Sequence, residues 1–367
     1  MRCSPLKRAL SLYWSHNSMN LFEPIVEDAK LHKNFRSIMR ESRTLERAEL
    51  QRWADGFPDR DGKFAREFQT SFNSCFWEIY LYALFKEFGF EFNWDSASPD
   101  FHIKRDNISL IVEATTANNS QGKTAEWEYF RSADELQNMR FGEMNRESII
   151  RLSNSFISKA KLYKRKYSEL EHVKKKPFIL AIAPFEQPNF NLQYNRPIVA
   201  LLYDYYVDED AYLDNPEKYP DGPPGRSLGF IEKDNGAEIE LGFFASGGFP
   251  EISAVIFSCT ATWGKVDAMT KNPNVKRIVS TVWGNGANGV PEKRISDASR
   301  YSETIQDGLQ IYHNPYALRP LNPDTFRKPG VVQVFGNPVT KELIWEGEEN
   351  CLMYRMMNNL NFDGNKR

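Results

Sequence analysis

The sequence predicts an α/β protein built on a mixed central sheet, and three observations carry that expectation. FAREFQTSFNSCFWEIYLYALFKEFGF (64–90) is apolar almost all round, as a helix buried against a sheet must be. Short β-rich runs follow it: FEFNW (90–94), DFHIK (100–104) and SLIVEAT (109–115). Then a helix-periodic stretch from Arg146 to His172 leads into KPFILAIAP (176–184), a proline-bounded apolar run of the kind that forms a buried strand.

Taken in chain order, residues 1–25 have no regular pattern, and 26–54 are charged with apolar residues recurring at three and four, which predicts a solvent-facing helix. The 64–90 helix closes at Gly89, a normal C-terminal position for glycine. The polar turn RDN (105–107) joins the second and third strands as a hairpin. The segment up to about 145 is polar and loop-like; NSQGKT (119–124) within it lacks the spacing of a phosphate-binding P-loop. Residues 185–250 are rich in Pro, Gly, Asn and Tyr and predict a loop-rich insertion. EISAVIFSC (251–259), RIVSTVW, VVQVFG and KELIWEG are further strands, with IYHNPYALRPLNPDTF expected as a loop between them. The expected organisation is a helical N-terminal arm (1–60), a core (61–184), the insertion (185–250), and C-terminal strands and loops completing or extending the core (251–367).

Composition narrows the function classes. The chain has 367 residues, 41% of them hydrophobic and 14% aromatic, enough for a large core, while its net charge of −2 confines any polyanion contact to a local basic patch. Cys3, Cys75, Cys259 and Cys351 are scattered without zinc-ligand spacing or a disulfide framework. The first twenty residues contain no signal-peptide core, and no stretch approaches the ~20 apolar residues that span a bilayer. A cytoplasmic protein without membrane contact is therefore expected.

The chemistry-bearing residues lie in SASPDFHIKRDNISLIVEATTAN (96–118). Asp100 opens one strand of the hairpin and Glu113 lies near the end of the other, so both can approach one end of the sheet. Strand alternation puts Glu113 and Thr115 on one face and Ala114 on the other. Magnesium, a hard ion, takes one or two protein carboxylates and keeps several waters, so this pair suits it. A divalent ion serves phosphodiester hydrolysis by neutralising the phosphate, generating hydroxide and stabilising the leaving oxygen.

These residues resemble the PD-(D/E)xK superfamily of restriction-endonuclease-like nucleases. The matching pieces are Trp77–Glu78 in the aromatic helix, Pro99–Asp100, and Glu113-Ala114-Thr115 where the pattern has Glu-x-Lys. They follow the order of the superfamily's αβββαβ core over residues 64–184, about a third of the chain. Pro58–Asp59 and Pro323–Asp324 repeat the dipeptide without an apolar strand ending in glutamate after it. The resemblance implies a Mg²⁺- or Mn²⁺-dependent nuclease acting on DNA, most naturally double-stranded. Asp100, Glu113 and the backbone carbonyl of Ala114, or Thr115, would hold metal, and Glu78 would assist. It permits restriction, repair or phage-defence roles and a homodimer.

The departure is Thr115 in place of the motif lysine. Some members draw that lysine from the following helix, where this chain has Arg151, Ser155, Lys159 and Tyr163 at i+4 spacing on one face. Lys159 is the candidate relocated cation, and its K-x-x-x-Y spacing with Tyr163 is similar to the Q-x-x-x-Y of RecB-like members. From 157 to 176 eight lysines and arginines stand against two glutamates, a net charge of +6, and Lys161, Lys164, Arg165 and Lys166 are candidate phosphate contacts. The commoner fate of such lysines is a solvated face. His313 is expected to make a structural hydrogen bond to backbone. The competing reading is a catalytically inactive nuclease-fold protein acting as a nucleic-acid-binding or scaffold subunit, with RNA or nucleotide cleavage as a third.

Overall fold

The aromatic segment folds as two helices, α3 (Phe64–Thr70) and α4 (Phe72–Glu87), separated by a break at Ser71. α4 is buried nearly all round: Trp77, Ile79, Tyr80, Leu81, Leu84 and Phe85 are fully enclosed. Burial of each large side chain contributes roughly 1.5–3 kcal/mol, and the one polar atom of Trp77, Nε1–H, is satisfied by the carbonyl of Ala181 at 3.0 Å. Gly89 takes a φ of +76°, which ends the helix. The computed structural model describes residues 19–118, 139–285 and 290–360. The 119–124 segment thus lies outside the described residues.

Against α4 lies a mixed eight-stranded sheet. The strands in chain order are β1 (Glu91–Phe92), β2 (Phe101–Arg105), β3 (Ile108–Thr116) and β4 (Phe178–Ala183); β5 (Tyr206–Val207) and β6 (Gly225–Arg226) form one small ribbon, β7 (Phe230–Glu232) and β8 (Glu238–Glu240) another. They continue with β9 (Ala254–Phe257), β10 (Arg277–Trp283), β11 (Glu292–Asp297), β12 (Leu309–His313), β13 (Val331–Gly336), β14 (Leu343–Glu346) and β15 (Leu352–Asn359). The large sheet runs β1-β2-β3-β4-β9-β12-β13-β14, and β11-β10-β15 form a separate three-stranded sheet. β2 and β3 are an antiparallel hairpin turning at Asp106, whose φ is +52°; β3, β4 and β9 are parallel neighbours. All six residues of β4 are buried, as a central parallel strand requires.

The helices that cover the sheet were only partly anticipated. Residues 26–54 form two short helices, α1 (Lys33–Ile38) and α2 (Thr44–Trp53), rather than one solvent-facing helix, and Phe35, Ile38, Leu50 and Trp53 join the core. Glu46, fully buried on α2, forms an ion pair with the buried Arg277 of β10. α5 (Phe141–Leu162) is the long helix expected from Arg146 onward, and it continues into a π-helical turn at Tyr163–Tyr167. The expected insertion contains α6 (Arg196–Tyr203), buried along most of its length, and the short α7 (Glu209–Asp214). α8 spans Trp263–Thr270.

The expected loop IYHNPYALRPLNPDTF is a correction: its first residues belong to β12, between β9 and β13. The polar residues that suggested a loop are satisfied within the sheet. His313 pairs its Nε2 with Oε1 of Gln333 at 2.9 Å and stacks on Phe335 with ring centroids 4.3 Å apart, so its ring partner is a side chain, not backbone. Among the described residues no helix is long and apolar enough to cross a membrane.

Candidate active site

The hairpin brings its two acids to one end of the sheet. Oδ2 of Asp100 accepts the backbone N–H of Ala114 at 2.7 Å, which fixes Asp100 one residue from Glu113. The loop before Asp100 is held from two sides. Arg60 donates to the carbonyls of Ala97 (3.0 Å) and Ser96 (3.3 Å), and the ring of His172 contacts the carbonyl of Ser98 (3.0 Å) and Oγ of Ser96 (3.3 Å). The Ser98–Pro99 peptide is cis.

β3 alternates its backbone groups. Ile111 and Ala117 donate to Pro177 and Ala183 on the β4 side (3.0 and 2.7 Å), whereas the N–H of Ala114 turns to Asp100. A strand residue projects its carbonyl to the same side as its N–H, so the Ala114 carbonyl faces past the end of β2 toward the acidic pair. The Thr116 carbonyl, two residues on, accepts Oγ–H of Ser155 at 3.3 Å.

Glu113 is 3% exposed. Its Oε1 receives Lys159 Nζ at 2.7 Å and the hydroxyl of Tyr167 at 3.4 Å, while its Oε2 is buried with no hydrogen-bond partner. An unpaired buried carboxylate oxygen is costly, so this atom is poised for a cation or a donor. Glu78, from the middle of α4, lines the same cavity of about 1070 Å³ with Asp100, Thr115, Arg151, Ser155 and Lys159.

The electrostatics follow from crowding three acids. Burial, then the charge of Asp100, pushes Glu78 up to about 8, against the opposing pull of Arg60 and Lys159. Burial and Glu113 push Asp100 up to about 6, opposed by its Ala114 hydrogen bond. The Tyr167 hydroxyl is driven well up by burial and by Glu113, so it stays a donor. Three carboxylates facing Lys159 and Arg60 leave the ionised site one negative charge in excess. Two carboxylates and a strand carbonyl converging there form an oxygen donor set that fits a hard divalent cation. Among the described residues no group of three or more His, Cys, Asp or Glu side chains has metal-centre geometry, so the fit rests on that smaller set.

The structure therefore gathers Asp100, Glu113, Glu78, Lys159, Ala114, Thr115, Arg151 and Ser155 in one place. It does not gather Tyr163, whose ring packs on Phe178 with centroids 4.6 Å apart. The physical reason is the π-helical turn: its i→i+5 hydrogen bonds rotate the chain less per residue than an α-helix, which returns Tyr167 instead to the side of Lys159. Lys161, Lys164, Arg165 and Lys166 are exposed, although Lys164 is ion-paired with Glu251 at 3.0 Å and Lys166 lies 5.6 Å over the ring of Tyr167.

Sequence reasoning missed Tyr167, Arg60 and the polar wall formed by Ser74, Asn118, Asn154, Ser158 and Asn235. Only Arg60 had a signal, since it directly follows the Pro58–Asp59 that was set aside. Comparison with protein-family models, curated proteins and solved structures gave no match.

Proposed function

We propose that this chain is a divalent-metal-dependent nuclease of the PD-(D/E)xK type, with a restriction-endonuclease-like core formed by α4, β1–β4 and α5. The observation that carries the reading is the 2.7 Å contact between Lys159 Nζ and Glu113 Oε1, which puts an amine from α5 beside the acid pair of the hairpin. Asp100, Glu113 and the Ala114 carbonyl would hold Mg²⁺ or Mn²⁺, and a bound ion would supply charge neutralisation and an acidified water. Lys159 keeps Glu113 charged and offers donors to a water or phosphate oxygen entering the cavity. Tyr167 fixes Glu113 from the other side, and Glu78 adds a third acid across the opening. The exposed Lys161, Arg165 and Lys166 continue the positive surface along the helix exit, where a DNA backbone would run.

The second reading is a nucleic-acid-binding subunit on the same framework that does not cut. Thr115 at the motif lysine position favours it. Incubating the protein with supercoiled plasmid and Mg²⁺ or Mn²⁺, beside Asp100→Ala and Lys159→Met, separates the two. Nicking or linearisation lost in both variants is the expected result, whereas undiminished DNA binding without cleavage under either metal transfers the assignment to the second reading.

A further inference from the structure

A second cavity lies on another flank of α4. Ser74 and Glu78 face the acidic site, while Asn73 and Phe76, nearly opposite on the helical wheel, line a separate space of about 280 Å³. The size is just below the roughly 300–1,000 Å³ of drug-sized ligand pockets, which selects a small molecule.

The lining has a specific composition. Phe76, Phe190 and Trp263 offer aromatic surfaces, and three amides, Asn34, Asn73 and Asn191, converge with the hydroxyls of Thr260 and Thr262. Asn34 Nδ2 donates to Asn73 Oδ1 at 3.1 Å, which orients the Asn73 amide, yet Asn73 Nδ2 is buried with no hydrogen-bond partner and Asn73 is only 5% exposed. A buried donor left open in this way calls for an acceptor that the protein does not provide. Charge is already matched at this wall. Arg355 pairs with the fully buried Glu303 and donates to the Thr260 carbonyl, so no anion is required to balance it.

A flat molecule with π faces and an edge of alternating donors and acceptors meets all of these conditions. We propose that this cavity binds a neutral nucleobase or nucleoside, stacked among the aromatic side chains and accepting from Asn73 Nδ2 at a ring nitrogen or carbonyl. Nothing in this site depends on the nuclease reading, because none of its residues lines the acidic cavity. Its position gives it a route to that cavity, since one rigid helix carries Asn73 and Glu78.

The test is a calorimetric titration of the full chain, without divalent metal, with adenosine, guanosine, cytidine, thymidine and uridine and with their 5′-monophosphates. Saturable one-to-one binding of at least one nucleoside is expected, with no gain from the 5′-phosphate. Removing a hydrogen-bonding or stacking partner in Asn73→Ala, Asn191→Ala or Trp263→Leu should weaken it roughly tenfold. Asn191 and Trp263 are only partly buried, so these two variants keep the test valid if Asn73→Ala fails to fold. Absence of binding by every nucleoside overturns the proposal, as does binding unchanged in Asn191→Ala and Trp263→Leu, or marked tightening by the phosphate. The same titration on Asp100→Ala should match the wild type, which keeps failure here distinct from failure of the nuclease assignment.

Discussion

The amine of Lys159 and the carboxylate of Glu113 meet at 2.7 Å although 46 positions separate them in the chain. Lys159 keeps about a quarter of its side chain accessible while Glu113 is almost fully enclosed, so the cation reaches inward to an acid that cannot reach out. In the proposed reaction Lys159→Met should lower the plasmid-cleavage rate by roughly a hundredfold or more, the scale of losing one preorganised electrostatic contact. Lys159→Arg, which keeps the charge with a different donor geometry, should recover part of it.

Tyr167 and Tyr163 form a natural pair of controls. Tyr167 donates to Glu113, and Tyr163 packs on Phe178 away from the acids. Tyr167→Phe should reduce cleavage and cost about 0.5–1.5 kcal/mol of stability in a denaturant titration. Tyr163→Phe should change neither, and an equal effect of both would remove the special role of the π-helical turn.

Glu78 predicts a pH-dependent stability. In the folded chain it keeps its proton up to about pH 8, but once unfolded it loses it near 4.5. Between those values the unfolded state binds fewer protons, so stability declines as pH rises and the full cost appears above pH 8. Glu78→Gln should therefore raise stability above pH 8 by on the order of 1–2 kcal/mol, allowing for its partial exposure, and give no gain below pH 4.5. Thermal melts across that range would show the divergence, and parallel curves would contradict it.

Histidines work in the opposite direction. Burial lowers His32 and His102 to about 4 from an ordinary 6.5; Nδ1 of His32 caps α1 by accepting the N–H of Asn34 at 3.1 Å, and His102 contacts Oγ of Ser109 at 3.1 Å. The unfolded state takes up protons first, so this stabilisation is complete above pH 6.5 and erodes as pH falls toward 4. Each histidine should contribute up to about 1.4 kcal/mol per pH unit to that slope. Chemical denaturation of His102→Asn across the interval should show a shallower decline than the wild type.

The elements that were legible in the sequence are those whose pattern is local. The aromatic α4, the β2–β3 hairpin with its polar turn, α5 and the proline-bounded β4 each carry their signal within a dozen or two residues, and the acids inherited their placement from strand alternation. β12 was hidden because Gln310 and His313 are buried polar residues whose partners, Tyr312 and Gln333, become evident only in the folded sheet. Tyr167 was hidden because α-periodicity points to Tyr163, and only the change of helical pitch after Leu162 redirects the register. Residues 26–54 misled through composition: many charges conceal a narrow apolar stripe, and Glu46 gives no hint that Arg277 waits more than two hundred residues away. The second cavity drew no notice because its amides come from four distant parts of the fold together with their aromatic neighbours.

The eight-stranded sheet limits how far this molecule can be trimmed. Strand β4 is flanked on one side by β3 and on the other by β9, so a fragment ending near residue 184 would retain both hairpin acids and the α5 amine but strip one margin of Phe178–Ala183. That raw, wholly apolar border would be a template for self-association, and a minimal catalytic version must therefore keep the distant C-terminal strands as its seal.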